Sequence, residues 1–265
     1  MGGRAKGNWQ VFPLEMNPLL NVYMLVFNCM ETVCKYHMGV IPDGNRRWAA
    51  SNCLPPSDGH KRGAEKMQLL VNWALSNSEV RELSIYGLSE ENFKRNPKEL
   101  ARLYDIYYDG LTRLLNSKEV HDNKVKVNLV STSPRRVPAN LVDVCAELKH
   151  ETKYYGNKVL NILIGYTGQS EILRSVSSPM NRLKNLFFGL SEEDIIRSLG
   201  VKSTCDFVIR TGEEEADREA KSGFLLWQSA YSEYYHIKKF WPDLEENDLN
   251  DAWGYFKETR RMKGK

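Results

Sequence analysis

The apolar positions of this chain fall into two alternating kinds of segment. Val159 to Tyr166 is a nearly continuous apolar run, the pattern of a central strand buried on both faces. Lys124 to Val130 alternates lysine with valine, which predicts a strand with one wetter face. His37 to Ile41, Glu82 to Leu88, Asp206 to Ile209 and Tyr235 to Lys239 read as further short strands. Segments of helical period lie between them. The helix opening at Gly59 carries Met67, Leu70, Val71 and Ala74 inward, and Pro97 starts one with Leu100, Leu103, Tyr104, Tyr107, Leu111, Leu114 and Leu115 on a broad apolar face. Pro138 to Tyr155, Gly168 to Leu186, Ser191 to Leu199, Gly223 to Tyr231 and Leu249 to Arg261 also read as helices, and Ser191 opens its helix with a Ser-x-x-Asp cap. Strand and helix alternate to the end of the chain. The expected fold class is therefore α/β, a single doubly wound domain on a mainly parallel sheet.

The first residues follow a different pattern. Residues 1 to 15 begin rich in Gly and Lys and carry no clear period, so loose packing is expected there. Asn17-Pro18 has the form of a helix start, and Leu19 to Cys34 is apolar on most faces. Such a helix packs on the main domain, or touches a membrane surface or guards an apolar tunnel; the sequence favours the first, and the two can coexist. Its most apolar part, Leu19 to Met30, is too short to span a bilayer, is interrupted by Asn21 and Asn28, and lacks the cleavage site of a signal peptide. The expected division is an N-terminal extension over residues 1–36 and a main domain over 37–265.

Composition narrows the class. A chain of 265 residues is near the upper end for one domain and can bury a substantial core. Charged residues at 27% and hydrophobic ones at 42% are those of a soluble globular enzyme. A net charge of +3 does not argue for a nucleic-acid partner. Five cysteines with no CxxC pair fit reduced thiols and a cytoplasmic location, with peripheral membrane contact through the extension as the alternative.

The chemistry gathers around His37 to Gly44, HMGVIPDG, and the following Asn45-Arg46-Arg47-Trp48. Pro42 cannot donate to a ladder and ends the strand, leaving Asp43 at its carboxyl end, where open α/β sheets bind ligands. Gly44 lets backbone approach a ligand, the N–H groups of the next turn favour an anion, and Arg46 and Arg47 add phosphate donors. One carboxylate suited to Mg²⁺ beside such a turn has the chemistry of a diphosphate site. The octet by itself does not choose between that and a strand–turn–helix corner with solvated arginines. Other polar groups follow successive strands: Ser89 to Arg95, Arg210-Thr211-Gly212, Ser222-Gly223 and Glu233.

The ordered set HMGVIPDGNRRWA, GHKRGA, YGLSEENFKR, DFVIRTG, SGFLLWQSAYSEYY and FWPD resembles the cis-prenyltransferase family, the undecaprenyl and dehydrodolichyl diphosphate synthases, from about His37 to Arg261. One such motif is weak; six in order are specific. The resemblance implies a six-stranded, mostly parallel sheet flanked by helices, a hydrophobic tunnel between sheet and helices for the growing chain, and a homodimer. It implies condensation of an allylic prenyl diphosphate with isopentenyl diphosphate to a Z-polyprenyl diphosphate, with Mg²⁺ as cofactor. By motif, Asp43, Ser89 and Asn92 are implied to be catalytic. Gly44, Asn45, Arg46 and Arg47 are implied to cradle the allylic diphosphate with His60 assisting, and Trp48, with Phe93 and Arg95 of the loop that carries Ser89 and Asn92, is implied to bind substrate. Arg210 and Ser222 hold isopentenyl diphosphate, and Asp43 and Glu233 ligate the metal. The resemblance places the apolar face of Leu103, Tyr104, Tyr107 and Leu111 on the tunnel, while Trp227 and Tyr231 read as packing.

Two departures stand out. The family usually has Arg four positions before the His of the Gly-His segment; here it is Pro56. The Arg expected two places before Ser222 is Ala220, in a loop from Glu213 to Lys221 about four residues longer than the family pattern; Arg218 or Lys221 is the candidate substitute. An altered second pocket leaves head-to-middle coupling of two allylic diphosphates, giving branched lavandulyl-type products, as the alternative reaction. A non-catalytic subunit of a heteromeric synthase is a further reading; such subunits lose the first-motif aspartate, and Asp43 is present.

Overall fold

A computed structural model of the protein describes residues 36–212 and 222–262. The expected helix from Leu19 to Cys34, the Glu213 to Lys221 loop and its Arg218 lie outside these residues. The strands are β1 (Tyr36–Ile41), β2 (Val80–Ser89), β3 (Val125–Val130), β4 (Lys158–Tyr166), β5 (Phe207–Thr211) and β6 (Glu233–Ile237). They form one sheet in the order β3-β4-β2-β1-β5-β6, with every neighbouring pair parallel. The helices that matter here are α1 (Asn45–Ser51), α2 (Pro56–Ser76), α3 (Pro97–Leu115), α4 (Lys118–Asp122), α5 (Ala139–Glu151), α6 (Gly168–Val176), α7 (Pro179–Phe187), α8 (Glu192–Ser198) and α9 (Glu246–Met262).

Strand order places the crevice. From β1 the chain moves to β2 on one side, yet β5 pairs with β1 on the other. Winding therefore reverses between β1 and β5, and ligands of open parallel sheets bind outside the carboxyl ends at such a reversal. In register, Ile41 lies opposite Arg210, so Asp43 and Thr211 emerge on the same edge. Buried side chains of the central strands, among them Met38, Val40, Ile85, Leu160 and Phe207, pack in one core with Leu70 of α2, Leu103 of α3 and Leu141 of α5.

Three expectations change in the structure. The long helix from Gly168 to Leu186 is two helices, because Pro179 has no N–H to continue the ladder and drives Ser178 to φ −60°, ψ 145°. Gly223 to Tyr231 forms turns rather than a helix. Ser222, Gly223 and Leu225 have φ of 46°, 77° and 38°, and left-handed residues cannot propagate a right-handed helix. The Pro-rich loop after Cys53 is also shorter than expected, since Pro56 already occupies the first turn of α2.

At the amino edge of the sheet lies a buried polar network. His37 Nδ1 is 3.1 Å from the Thr204 carbonyl and Nε2 is 2.7 Å from Ser84 Oγ. Asn161 donates from Nδ2 to Ser84 Oγ and Glu82 Oε1, and Ser203 donates to Glu82 Oε2. A carbonyl only accepts, so neutral His37 carries its proton on Nδ1 and Nε2 accepts from the Ser84 hydroxyl. Burial lowers the imidazole pKa below its ordinary value, against the opposing charges of Glu82 and Asp206. Below about 6.5 the unfolded chain therefore takes up a proton that folded His37 resists, and stability falls as the pH drops through that window. Urea midpoints measured on either side of the window should show the loss, and His37→Gln, though less stable at neutral pH, should show a flatter slope; an unchanged slope would acquit His37.

Candidate active site

The site begins where β1 stops. Asp43 N donates to Thr211 Oγ1 at 3.0 Å, the Thr211 hydroxyl donates back to the Asp43 carbonyl at 2.9 Å, and Trp241 N reaches the same carbonyl at 3.0 Å. The backbone of Asp43 is thus fixed from two directions before its side chain does anything. Gly44 follows at φ +107°, and a Cβ there would lie 2.6 Å from Phe240 Cδ1 and 3.1 Å from Phe240 Cα. Only glycine turns the chain into α1 in that space.

One cation group surrounds Asp43. Arg210 donates from Nη2 to Asp43 Oδ2 at 2.8 Å and from Nη1 to Ser222 Oγ at 3.0 Å. Arg47 Nη2 stands 3.4 Å from the same Asp43 oxygen, with its guanidinium 5.4 Å from the centre of the Phe240 ring. Burial by itself would raise the Asp43 pKa; the hydrogen bond and charge of Arg210, with Arg47, outweigh it and hold the carboxyl below its ordinary value. Asp43 therefore stays an ionised, hard oxygen donor at neutral pH.

A second cation group surrounds Glu99, on the first turn of α3. Its Oε1 is 3.2 Å from Arg95 Nη1, 3.3 Å from His60 Nε2 and 3.6 Å from Arg46 Nε. One carboxylate thus ties together α1, α2, α3 and the 3₁₀ turn Glu90–Lys94. Burial lowers the His60 pKa, Arg95 and Arg46 push the same way, and Glu99 opposes them. His60 is accordingly neutral near pH 7, a hydrogen-bonding group and not a fixed cation. Ser89 and Asn92 close a capping box on the 3₁₀ turn, with Ser89 N donating to Asn92 Oδ1 at 3.1 Å. Glu90 accepts from Ser133, Thr132 and Ser170 hydroxyls at 2.6, 2.8 and 2.8 Å, tying that turn to the loop after β3 and to the first turn of α6.

An apolar cavity of about 120 Å³ runs between the sheet and helices α2 and α3. Pro42, Asn45 and His60 line its polar end, and Ile85, Leu160, Ile162, Leu103, Tyr107 and Leu111 line its apolar walls. Asn45 Oδ1 is buried and has no hydrogen-bond partner among the described residues. A Cβ on Gly63 would sit 2.2 Å from it, so glycine keeps this corner open. Tyr107 donates its hydroxyl to the Gly87 carbonyl, where a bulge shifts the β2–β4 register. Tyr104 is not a lining residue; its hydroxyl donates to the Arg136 carbonyl at 3.1 Å.

The fold brings together Asp43, Gly44, Arg47, Arg210 and Ser222 in one group, Arg46, His60 and Arg95 in the other, and Asn45 at the cavity mouth. Three of the expected site residues stand apart from these groups. Trp48 donates its indole N–H to Asp243 Oδ1 at 2.7 Å, an anchor to the Phe240 to Asp243 segment. Phe93 is buried under the Arg136 guanidinium at 4.1 Å and against Gly165, and does not line the cavity. Glu233 pairs in register with Phe207, four positions before Thr211, so it lies at the opposite edge of the sheet, roughly 13 Å along the strand. Within one chain it does not share a metal with Asp43. Tyr231, read as packing, is almost fully exposed. Sequence reasoning missed Glu99, whose only local signal is its place four residues after Arg95, and the double hydrogen bond of Thr211.

Comparison with known proteins then gives the context. Residues 41–264 match a family model described as "Putative undecaprenyl diphosphate synthase". The chain is 36% identical over 220 residues to the tritrans,polycis-undecaprenyl-diphosphate synthase (geranylgeranyl-diphosphate specific) of Pyrobaculum aerophilum, covering 80% of this chain and 89% of the relative. To the enzyme of the same name from Methanopyrus kandleri it is 31% identical over 263 residues, 97% of this chain and 95% of the relative. Among solved structures it is similar to lavandulyl diphosphate synthase from Lavandula x intermedia in complex with dimethylallyl diphosphate. That likeness has a TM-score of 0.74 at 24% identity and covers 84% of this chain and 95% of the other. It is also similar to a "probable undecaprenyl diphosphate synthase" from Campylobacter jejuni, with TM-score 0.68 at 24% identity over 87% and 99%. At that identity the two structures speak to the fold alone.

Proposed function

The chain belongs to the undecaprenyl diphosphate synthase family of cis-prenyltransferases, and from that premise we propose that it condenses an allylic prenyl diphosphate with isopentenyl diphosphate to a Z-polyprenyl diphosphate, with residues 37–265 as the catalytic domain. One observation carries this reading: an apolar cavity is lined by Pro42 and Asn45, the chain neighbours of Asp43 and Arg46, and by His60 of the Glu99 group, so both cation groups adjoin one end of it. The allylic diphosphate sits at the mouth with its tail in the cavity, near Asn45, Arg46, Arg47, His60 and Arg95. The second diphosphate takes Arg210 and Ser222.

Mg²⁺ fits Asp43, an ionised and partly exposed carboxylate, because Mg²⁺ is commonly held by one or two carboxylates with phosphate oxygens and water. Among the described residues no cluster of three or more His, Cys, Asp or Glu offers a cage, so the substrate supplies the remaining ligands. Bound there, Mg²⁺ would offset charge on the departing diphosphate. Arg46, Arg47 and Arg95 stabilise the same developing charge as the allylic C1–O bond breaks. Arg210 and Ser222 hold isopentenyl diphosphate so that its double bond faces C1. The new C–C bond forms, a proton is lost from the adduct, and the lengthened chain moves down the apolar walls. Positioning and electrostatics carry the rate, with no covalent enzyme intermediate.

The test is label transfer. With Mg²⁺ and geranylgeranyl diphosphate as primer, labelled isopentenyl diphosphate should enter extractable lipid. Asp43→Ala should fold and lose about 2–4 kcal/mol of transition-state stabilisation. No label in lipid would overturn the reading, and a branched product from an allylic diphosphate alone would replace isopentenyl diphosphate as the second substrate.

Tyr107 is the wall residue whose size bears on product length. Tyr107→Ala should lengthen the products by opening the wall. Tyr107→Phe should leave the lengths unchanged while losing about 1 kcal/mol of stability through the orphaned Gly87 carbonyl. Equal products from wild type and Tyr107→Ala, compared by mass spectrometry, would return Tyr107 to plain core.

We propose further that the enzyme acts as a homodimer. Leu173 of α6 and Met180, Leu183, Leu186 and Phe187 of α7, with Phe188, are large apolar side chains 61 to 84% exposed within sixteen residues of sequence, and exposed apolar groups gathered in this way favour an interaction surface. Sedimentation should find a dimer, and Leu183→Glu with Phe187→Glu should shift it to monomer; a monomeric wild type ends the proposal.

A further inference from the structure

Ser222 reaches the site from a strained turn. Ser222 and Leu225 are left-handed despite their side chains, at φ 46° and 38°, with Gly223 between them at 77°. Such backbone persists only where the surroundings over-determine it. The later carbonyls of the turn are held by backbone: Gly168 N donates to Gly223 O at 2.7 Å, and Ser229 N donates to Leu225 O at 2.8 Å. The Ser222 carbonyl is held differently, by the phenol of Tyr86 on β2 at 3.1 Å.

We propose that Tyr86 is a positioning residue for the second diphosphate, its hydroxyl fixing the Ser222 carbonyl and so the direction in which Ser222 and Arg210 meet the substrate. This rests on the reading in which those two residues take isopentenyl diphosphate. Tyr86 is buried and does not line the cavity, so it does not touch the prenyl chain. Its ring is confined by Tyr166, edge-on at 6.0 Å, and by Phe224, tilted at 5.5 Å. The single phenolic proton is shared between the Ser222 carbonyl and the Tyr166 carbonyl at 3.0 Å, so one group registers the turn against the end of β4. The geometry continues outward without a gap. Ser222 Oγ accepts from Arg210 Nη1, and Arg210 Nη2 donates to Asp43. Burial, with Glu91 and Glu90 adding to it, keeps the phenol protonated, which leaves it a donor and gives it no acid–base part. The turn has little room to adjust otherwise, since a Cβ on Gly168 would lie 2.8 Å from Leu226 Cγ.

Tyr86→Phe keeps the ring and removes the donor. It should raise the KM for isopentenyl diphosphate about three- to tenfold, the scale of one hydrogen bond, while kcat and the allylic KM stay within about twofold. Calorimetry with inorganic diphosphate should show the same weakening at one of two sites. Unchanged KM values, or a uniform loss in kcat and both KM values alongside a lower melting temperature, would overturn the positioning role. If the wild type used no isopentenyl diphosphate, the proposed function would fall, and the calorimetric comparison of wild type with Tyr86→Phe would still decide whether Tyr86 shapes a diphosphate site.

Discussion

The Arg210 guanidinium spans the crevice where the sheet reverses its winding, and the site depends on its being there. It bonds Asp43 on one side and Ser222 on the other, so two segments far apart in sequence share one cation. Burial works against an ionised Asp43; the guanidinium beside it decides the balance. The parallel register makes this possible, because Ile41 opposite Arg210 brings both strand ends to the same edge. The Thr211 hydroxyl, bonded to both the N–H and the carbonyl of Asp43, then fixes that edge where a ligand has to be gripped.

The two cation groups are built on different principles. Around Asp43 the guanidinium groups are permanently charged and address a single carboxylate oxygen. Around Glu99 two arginines meet a buried imidazole whose charge is suppressed, so that group presents two fixed charges and one hydrogen-bonding edge. The Glu99 carboxylate keeps Arg46 and Arg95 from repelling one another before an anion arrives. One group holds a carboxylate among its cations, and the other offers an anion nitrogen donors of two kinds.

Much of this was legible in the chain. The apolar run of β4, the alternation of β3 and the broad face of α3 follow from which faces meet the core, and the HMGVIPDG octet gave both the strand end and the glycine turn. What escaped was set by tertiary context. Gly223 to Tyr231 has the composition of a helix, yet its entry is left-handed at Ser222, Gly223 and Leu225, where the close approach of Gly168 and the tie of Ser222 to Tyr86 hold the turn. Glu233 carries the right chemistry, but strand register puts it at the wrong edge. Trp48 and Phe93 stand inside motif segments and turn away to Asp243 and beneath Arg136. Glu99 looks in sequence like an ordinary first-turn acid, and only packing of α1, α2 and α3 makes it a hub.

The Tyr107–Gly87 bond joins the cavity wall to the sheet itself. At the bulge the Gly87 carbonyl accepts from the Tyr107 hydroxyl, so a residue of the cavity wall also braces the sheet where its register shifts. A lineage drifting toward longer products by shrinking this side chain would meet a folding defect in the same step. Its accessible route runs through compensation first, such as a donor from another wall position or removal of the bulge. Product length at this wall is therefore expected to change in jumps that follow stabilising substitutions, and not by gradual trimming.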